Sequence, residues 1–396
     1  MRYYLIAGEP SGDLHGANLI RAIRAEDPAA EVRCWGGDLM AEAGATVVKH
    51  YRELAFMGVV QIVKNLPTIL RNERFCREDI AAFAPDRLVL IDYSGFNLRI
   101  AKWARPAGYD ISYFISPQVW ASRSGRVEQI KANVDRMLVI LPFEEAWYAE
   151  RGVKATFVGH PLLDVVRAAE MRAGTRVPRK GGKGEGGKGG EVGGANHQSK
   201  IEIRESRITI ALLPGSRKQE ITVGLPLMLA AAARFPEHEY VIAGAPAQTE
   251  AFYADLMASR APSPPHLRVV MNDTYSLLQT AHAAVVTSGT ATLETALFGV
   301  PQVVVYKGNW LAYRIARRMV GDRIKYISLV NLVMDAPVVP ELIQADFNPD
   351  NLADHLQNTI AGSERDRQLA DLKLLRKRLG SGGAAARAAR AIVAGK

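Results

Sequence analysis

Cysteine is nearly absent from this 396-residue sequence; Cys34 and Cys76 stand alone, at no spacing that suits a metal site or a disulfide framework. That scarcity excludes a small disulfide-stapled scaffold and fits a reduced, cytoplasmic compartment. No apolar run approaches the ~20 residues that span a bilayer. The opening MRYYLIAGEP carries one arginine and a short apolar run, and reads as a first strand, not as a leader. No G-x-x-x-x-G-K-[ST] occurs, so a P-loop is excluded. No D-x-D occurs either, which argues against a diphosphate bridged through a metal, and no metal site is expected. Aromatic residues are 7% and form no stacking motif, so nucleic acid is a poor partner despite a net charge of +9. That charge still favours anionic partners such as nucleotides, phosphorylated substrates or an anionic bilayer.

What is present is an ordinary soluble composition, 48% hydrophobic and 23% charged, long enough for two domains. Strands are expected at residues 3–8, 32–37, 86–93, 110–116, 135–143 and 155–161, with helical patterns such as LHGANLIRAIRA and NLRIAKWARPAG between them. Short apolar β-rich runs alternating with helices predict a doubly wound parallel sheet. The pattern restarts after residue 206 with RITIALLPGS, EYVIAGAP, LRVVM, HAAVVTSG and PQVVVYK. The expected class is therefore α/β, with two Rossmann-like doubly wound domains, over 1–168 and 207–345. A helical tail follows over 346–396, packing on the second half or crossing back to the first. Between the halves, residues 169–206 are dominated by glycine and lysine, read as a disordered insertion whose composition buries too little apolar area to order it.

Two strand-to-helix turns in the second half suit an anion. In ALLPGSRKQEI, Gly215 lets the backbone approach, Ser216 donates a hydroxyl and Arg217 forks onto phosphate oxygens. In TSGTATLETALFGVP, Ser288, Gly289 and Thr290 open a helix whose free N–H groups favour negative charge. Glu294 lies on its first turns, placed either to accept from a ribose diol or to add favourable charge to the helix start. Together these turns resemble a nucleotide-diphosphate site beyond the carboxyl ends of the strands.

The first half carries acids instead. Glu9 and Asp13 are expected on the loop after the first strand with His15 close by, and Asp92 ends VLIDYSGFN. Loops of one parallel sheet share a rim, so these carboxylates can converge as a general base for a sugar hydroxyl. Asp13 equally suits an N-cap for LHGANLIRAIR, and Asp92 a tie for its own turn. His160 and Asn331 either line the cleft between halves or are satisfied structural polar groups. Residues 54–74, apolar with Lys64, Arg71 and Arg74, read equally as a membrane-surface or acyl-groove segment and as a buried helix pair.

The blocks AGEPSGDLHGA (7–17), FMGVVQIVKNLP (56–67), VLIDYSGFN (89–97), YFISPQVWASRSGRV (113–127), VILPFEEAWY (139–148), FVGHPLLD (157–164), ALLPGSRKQEI (211–221), SGTATLETALFGVP (288–301) and SLVNLV (328–333) occur in this order. In that combination the chain resembles the lipid-A-disaccharide synthases, glycosyltransferases of the two-lobed GT-B architecture with a cleft between the lobes. The resemblance implies an inverting, cofactor-free transfer from UDP-2,3-diacylglucosamine to the 6-hydroxyl of 2,3-diacylglucosamine 1-phosphate. It gives a β-1,6 disaccharide and UDP. It implies that Glu9, Asp13 and Asp92 match the first-half acids. Gly215, Ser216, Arg217, Ser288, Gly289, Thr290, Glu294 and Asn331 fall on the UDP side, and Met57, Val60, Trp120 and His160 on the acceptor or lipid side. It further implies a cytoplasmic enzyme, peripheral on the inner face of the inner membrane, with a homodimer admitted. Many members read I-D-x-P-D-F-N where this chain has Gly95 in place of the second acid, and W-A-W-R where it has Ser122. A UDP-sugar 2-epimerase-like isomerase on the same fold is the alternative, and would release no UDP in response to an acylated acceptor.

Overall fold

The computed structural model describes residues 1–54, 66–120, 124–174, 207–259, 262–308 and 325–395. Met57, Val60, Ser122 and most of the glycine–lysine insertion lie outside the described residues.

The amino-terminal lobe is built on seven parallel strands, β1 (Arg2–Ala7), β2 (Glu31–Gly36), β3 (Thr46–His50), β4 (Arg87–Ile91), β5 (Ile111–Phe114), β6 (Arg136–Val139) and β7 (Ala155–Phe157). Their order is β3-β2-β1-β4-β5-β6-β7. The carboxyl-terminal lobe has six: β8 (Thr209–Leu213), β9 (Glu239–Gly244), β10 (Leu267–Met271), β11 (Ala283–Thr287), β12 (Gln302–Tyr306) and β13 (Glu341–Ile343). Their order is β10-β9-β8-β11-β12-β13, again all parallel. In both sheets the strand order reverses beside the first strand, between β1 and β4 and between β8 and β11. Ligands of open α/β sheets bind at such switch points.

The central strands are apolar throughout because both faces are covered. Along β1, Tyr3, Leu5 and Ala7 pack toward the helices Pro10–Glu26 and Ala384–Ala394, while Tyr4 and Ile6 join Trp35, Phe96 and Tyr113 on the opposite face. The edge strands differ. In β3 no residue is fully buried, and β13 is three residues long; neither is among the strands expected from sequence.

The tail does both things expected of it as alternatives. Helix Pro349–Ile360 contributes Leu352 and Leu356 to a second-lobe core, and helix Ser363–Arg378 contributes Leu372 and Leu375 to a cluster shared by both lobes. Helix Ala384–Ala394 crosses back, burying Ala388, Ala389 and Ile392 with Leu19 and Ile23 of the first helix.

Candidate functional site

Backbone strain gathers at the carboxyl ends of several strands. Seven described non-glycine residues have positive φ, and five of them, Asp92, Tyr93, Ile115, Asn272 and Gln344, directly follow the carboxyl ends of β4, β5, β10 and β13. Such conformations cost of order 1–3 kcal/mol each and persist only where the surroundings hold them.

Asp92 and Tyr93 both sit at φ 44°. Two buried donors fix them: the Asn97 side-chain amide donates to the Asp92 carbonyl at 2.9 Å, and the Tyr113 hydroxyl donates to the same oxygen. The Tyr93 ring lies against Gly8, where a Cβ would come within 2.5 Å of it. Strand β4 is thereby locked to the β1 turn. Burial raises the Asp92 carboxyl to about 6, and the charge of Glu9 adds to the effect while the Tyr93 backbone opposes it. Glu9 itself is exposed, in extended backbone at the start of helix Pro10–Glu26, and its side chain caps nothing. Two acids therefore meet on this rim, one held near neutrality as a general base requires.

Asp13 corrects the sequence expectation on two counts. It lies within the first helix, not on a loop, and it caps a different helix. Its buried carboxylate accepts from the backbone N–H groups of Gly37 (2.8 Å), Leu39 (3.2 Å) and Met40 (3.1 Å), the opening of helix Asp38–Glu42. Three backbone donors satisfy it there. His15 and His160 stay neutral: burial lowers His15 to about 4 and His160 to about 3, His15 adding to the latter. His160 Nδ1 accepts from the Leu162 N–H at 3.2 Å, which leaves the proton on Nε2. Trp120 is half-buried, edge-on to Phe143 at 5.1 Å. It packs on a cluster that joins Leu141 and Leu162 to Leu293 of the other lobe.

On the second lobe, β8 and β11 are neighbours, Leu213 beside Val286, so the two anion turns share one rim. Gly215 has φ 109°, and a Cβ there would press on Glu220 and Thr287. Arg217 opens helix Lys218–Ala232 with an exposed side chain, paired to Glu220 at 2.8 Å. Ser288 donates its hydroxyl to the Ile327 carbonyl at 3.0 Å. Gly289 and Thr290 begin helix Thr290–Leu297. Glu294 accepts from the Tyr275 hydroxyl at 2.9 Å, and burial raises its pKa. It opens on a cleft of about 640 Å³ that Asn272, Thr274, Tyr275 and Gln279 also line.

Asn331 is a satisfied structural polar group, one of the two readings the sequence left open. Its amide spans Val339, donating to the carbonyl and accepting from the N–H, both at 2.9 Å, and donates again to Glu341. Those bonds take up both donors and one acceptor position, so Asn331 fastens the 328–341 segment, and it also lines a cleft of about 540 Å³ with Tyr326 and Glu341.

Sequence reasoning missed Glu144, a fully buried acid in the VILPFEEAWY block. It accepts from the Ile140 and Leu141 N–H groups (3.2 and 2.9 Å), and burial raises it to about 7. It missed also Tyr113 and Asn97, although a tyrosine in a buried strand must find a partner for its hydroxyl. Among the described residues no three His, Cys, Asp or Glu side chains converge, and no helix is long and apolar enough to cross a membrane.

The model of the lipid-A-disaccharide synthetase family matches residues 3–178 and 192–393. The lipid-A-disaccharide synthase of Syntrophus aciditrophicus is 40% identical over 390 residues, spanning 97% of this chain and 95% of that protein. That of Geobacter sulfurreducens is 36% identical, over 98% of this chain and 95% of its own. Among solved structures, the glycosyltransferase of kitacinnamycin superposes with a TM-score of 0.62 at 16% identity, over 98% of this chain and 97% of its own. The UDP-GlcNAc 2-epimerase of Neisseria meningitidis bound to UDP-GlcNAc gives 0.61 at 11%, over 100% and 99%. At those identities the structures share the fold alone.

Proposed function

Since this chain belongs to the lipid-A-disaccharide synthase family, and is thus a glycosyltransferase of two α/β lobes, we propose a division of labour between its rims. The second lobe holds UDP-2,3-diacylglucosamine, its diphosphate against Gly215–Arg217 and Ser288–Thr290 and its ribose toward Glu294. The first lobe holds 2,3-diacylglucosamine 1-phosphate with its 6-hydroxyl at Asp92. Asp92, flanked by Glu9, takes the hydroxyl proton as that oxygen attacks the anomeric carbon from the face opposite UDP. The carbon–oxygen bond to UDP breaks, configuration inverts, and backbone N–H groups with Arg217 stabilise the departing diphosphate. The observation that carries this reading is the strained Asp92 turn: a carboxyl raised to about 6 beside a second acid, on the lobe that lacks the anion turns.

Both substrates are acylated, and the described part of the expected lipid-facing segment supports contact with a bilayer. On helix Leu66–Phe83, Leu70 within that segment and Phe75 just past it are exposed, 54% and 42% accessible, interleaved with exposed Arg71 and Arg74. That mixture suits the surface of an anionic bilayer, the inner face of the inner membrane in this reading. Sedimentation decides between a single chain and a homodimer.

Incubating the purified protein with both acylated sugars, with and without EDTA, tests the reaction. The expected result is one UDP per disaccharide, unchanged by chelator. A C2-epimerised sugar nucleotide with no disaccharide would instead make the protein an isomerase.

A further inference from the structure

The rim that carries Asp92 also carries a cation that the reaction proposed above does not use. Arg126 ends the short 3-10 turn Ser124–Arg126. Its Nη1 donates to the Ser94 hydroxyl at 3.0 Å, and Ser94 directly follows the strained pair Asp92 and Tyr93. Arg126 also lies within electrostatic reach of Tyr113, whose hydroxyl donates to the Asp92 carbonyl. Burial and the charge of Asp92 raise the pKa of that hydroxyl, and Arg126 opposes them. Ser94 and Arg126 are both half-buried. Among the described residues, a Cβ built on Gly95 or on Gly125 meets no atom within 4 Å.

The acceptor of the proposed reaction is a phosphate monoester, carrying about −1.5 to −2 charges at pH 7. Glu9 and Asp92 make this part of the rim negative, so a phosphate arriving with the sugar is repelled unless a cation holds it away from them. A guanidinium is suited to hold it, because its planar fork matches phosphate oxygens two at a time. The Ser94 hydroxyl accepts from Arg126 and so has its own proton left to donate. We propose that Arg126 and Ser94 form the seat of the acceptor's phosphate, turning the sugar so that its free hydroxyl meets Asp92 and Glu9. The seat makes the enzyme select phosphorylated acceptors, and it rests on the reaction proposed above.

The test compares two acceptors, 2,3-diacylglucosamine with and without the 1-phosphate, in the wild type, Arg126→Ala and Arg126→Lys, following UDP release. Arg126→Ala should raise the KM for the phosphorylated acceptor roughly 10- to 100-fold, the loss expected for charged hydrogen bonds, with the donor KM unmoved. The wild-type preference for the phosphorylated acceptor should collapse toward unity. Arg126→Lys, which keeps the charge but not the fork, should fall between and serves alone if the alanine variant does not fold. Equal losses on both acceptors, or no loss, would overturn the seat while leaving the reaction standing. No UDP release by the wild type with either acceptor would remove the reaction, and the seat with it.

Discussion

At the scale of single residues, the account turns on which carboxylate takes the proton. Asp92 has a folded pKa of about 6, above its ordinary value of 3.8, because burial and Glu9 both disfavour its charged form. A base works when deprotonated, so kcat/KM should rise with pH through about 6 and level off above it. Asp92→Asn should lower kcat roughly 10²- to 10⁴-fold. Glu9→Gln removes the like charge, so the acid limb of the profile should move to lower pH with turnover kept. Loss of turnover in Glu9→Gln with an unmoved limb would make Glu9 the base. The same shift has a stability consequence. A carboxyl whose pKa is raised on folding favours the fold below its unfolded pKa, and that contribution is lost as pH rises through about 6. Asp92→Asn should therefore melt higher than the wild type above that pH, as expected when a site stores strain for function. The placement of the candidate residues on strand-end turns was legible in the sequence, because a glycine, an arginine and acids directly after apolar runs mark where strands stop. What Asp13 and Asn331 hold was not. Their partners lie 24–27 and 8–10 residues away, backbone groups and the Glu341 carboxylate that no local pattern identifies.

At the scale of elements, Asp13 shows one helix fastening another. The five-residue helix Asp38–Glu42 is too short to hold itself together, and its opening N–H groups find their acceptor on the first helix. Asp13→Ala strands three donors, and should cost roughly 1–3 kcal/mol and lower the melting temperature. Asp13→Asn keeps an acceptor oxygen, and should retain near-normal turnover with most of that stability. A large loss of turnover in a fully stable Asp13→Asn protein would return Asp13 to the chemistry. Strands were legible where both faces are covered, since β1, β4, β8 and β11 read as unbroken apolar runs. β3 escaped because TVVKH is a half-exposed edge with a bulge opposite Cys34 and Trp35. β13 escaped because three residues make too short a run to show alternation.

At the scale of the whole molecule, the chain leaves the first lobe after β7 and returns to it before the last helix, and two side chains tie these two crossings together. Arg387 donates to Val158 on the first crossing and to Ser381 and Gly382 on the second, all between 2.8 and 2.9 Å. Asp164 accepts from Gly383 and Ala384 at the same place. The two-lobed plan was visible in the sequence as a strand–helix pattern that starts twice. The return of the last helix was not, because AAARAARAIVA has an apolar stripe that fits either lobe, and only the packed cores decide which one receives it. The joined lobes leave two rims of different make-up, acids on one and the Gly215–Arg217 and Ser288–Thr290 turns on the other, and the central claim is that each does one half of the reaction. A crystal structure with uridine diphosphate bound tests it most directly. The diphosphate should sit against Gly215–Arg217 and Ser288–Thr290, and uridine diphosphate seated at the Gly8–Glu9 turn beside Asp92 would contradict the account.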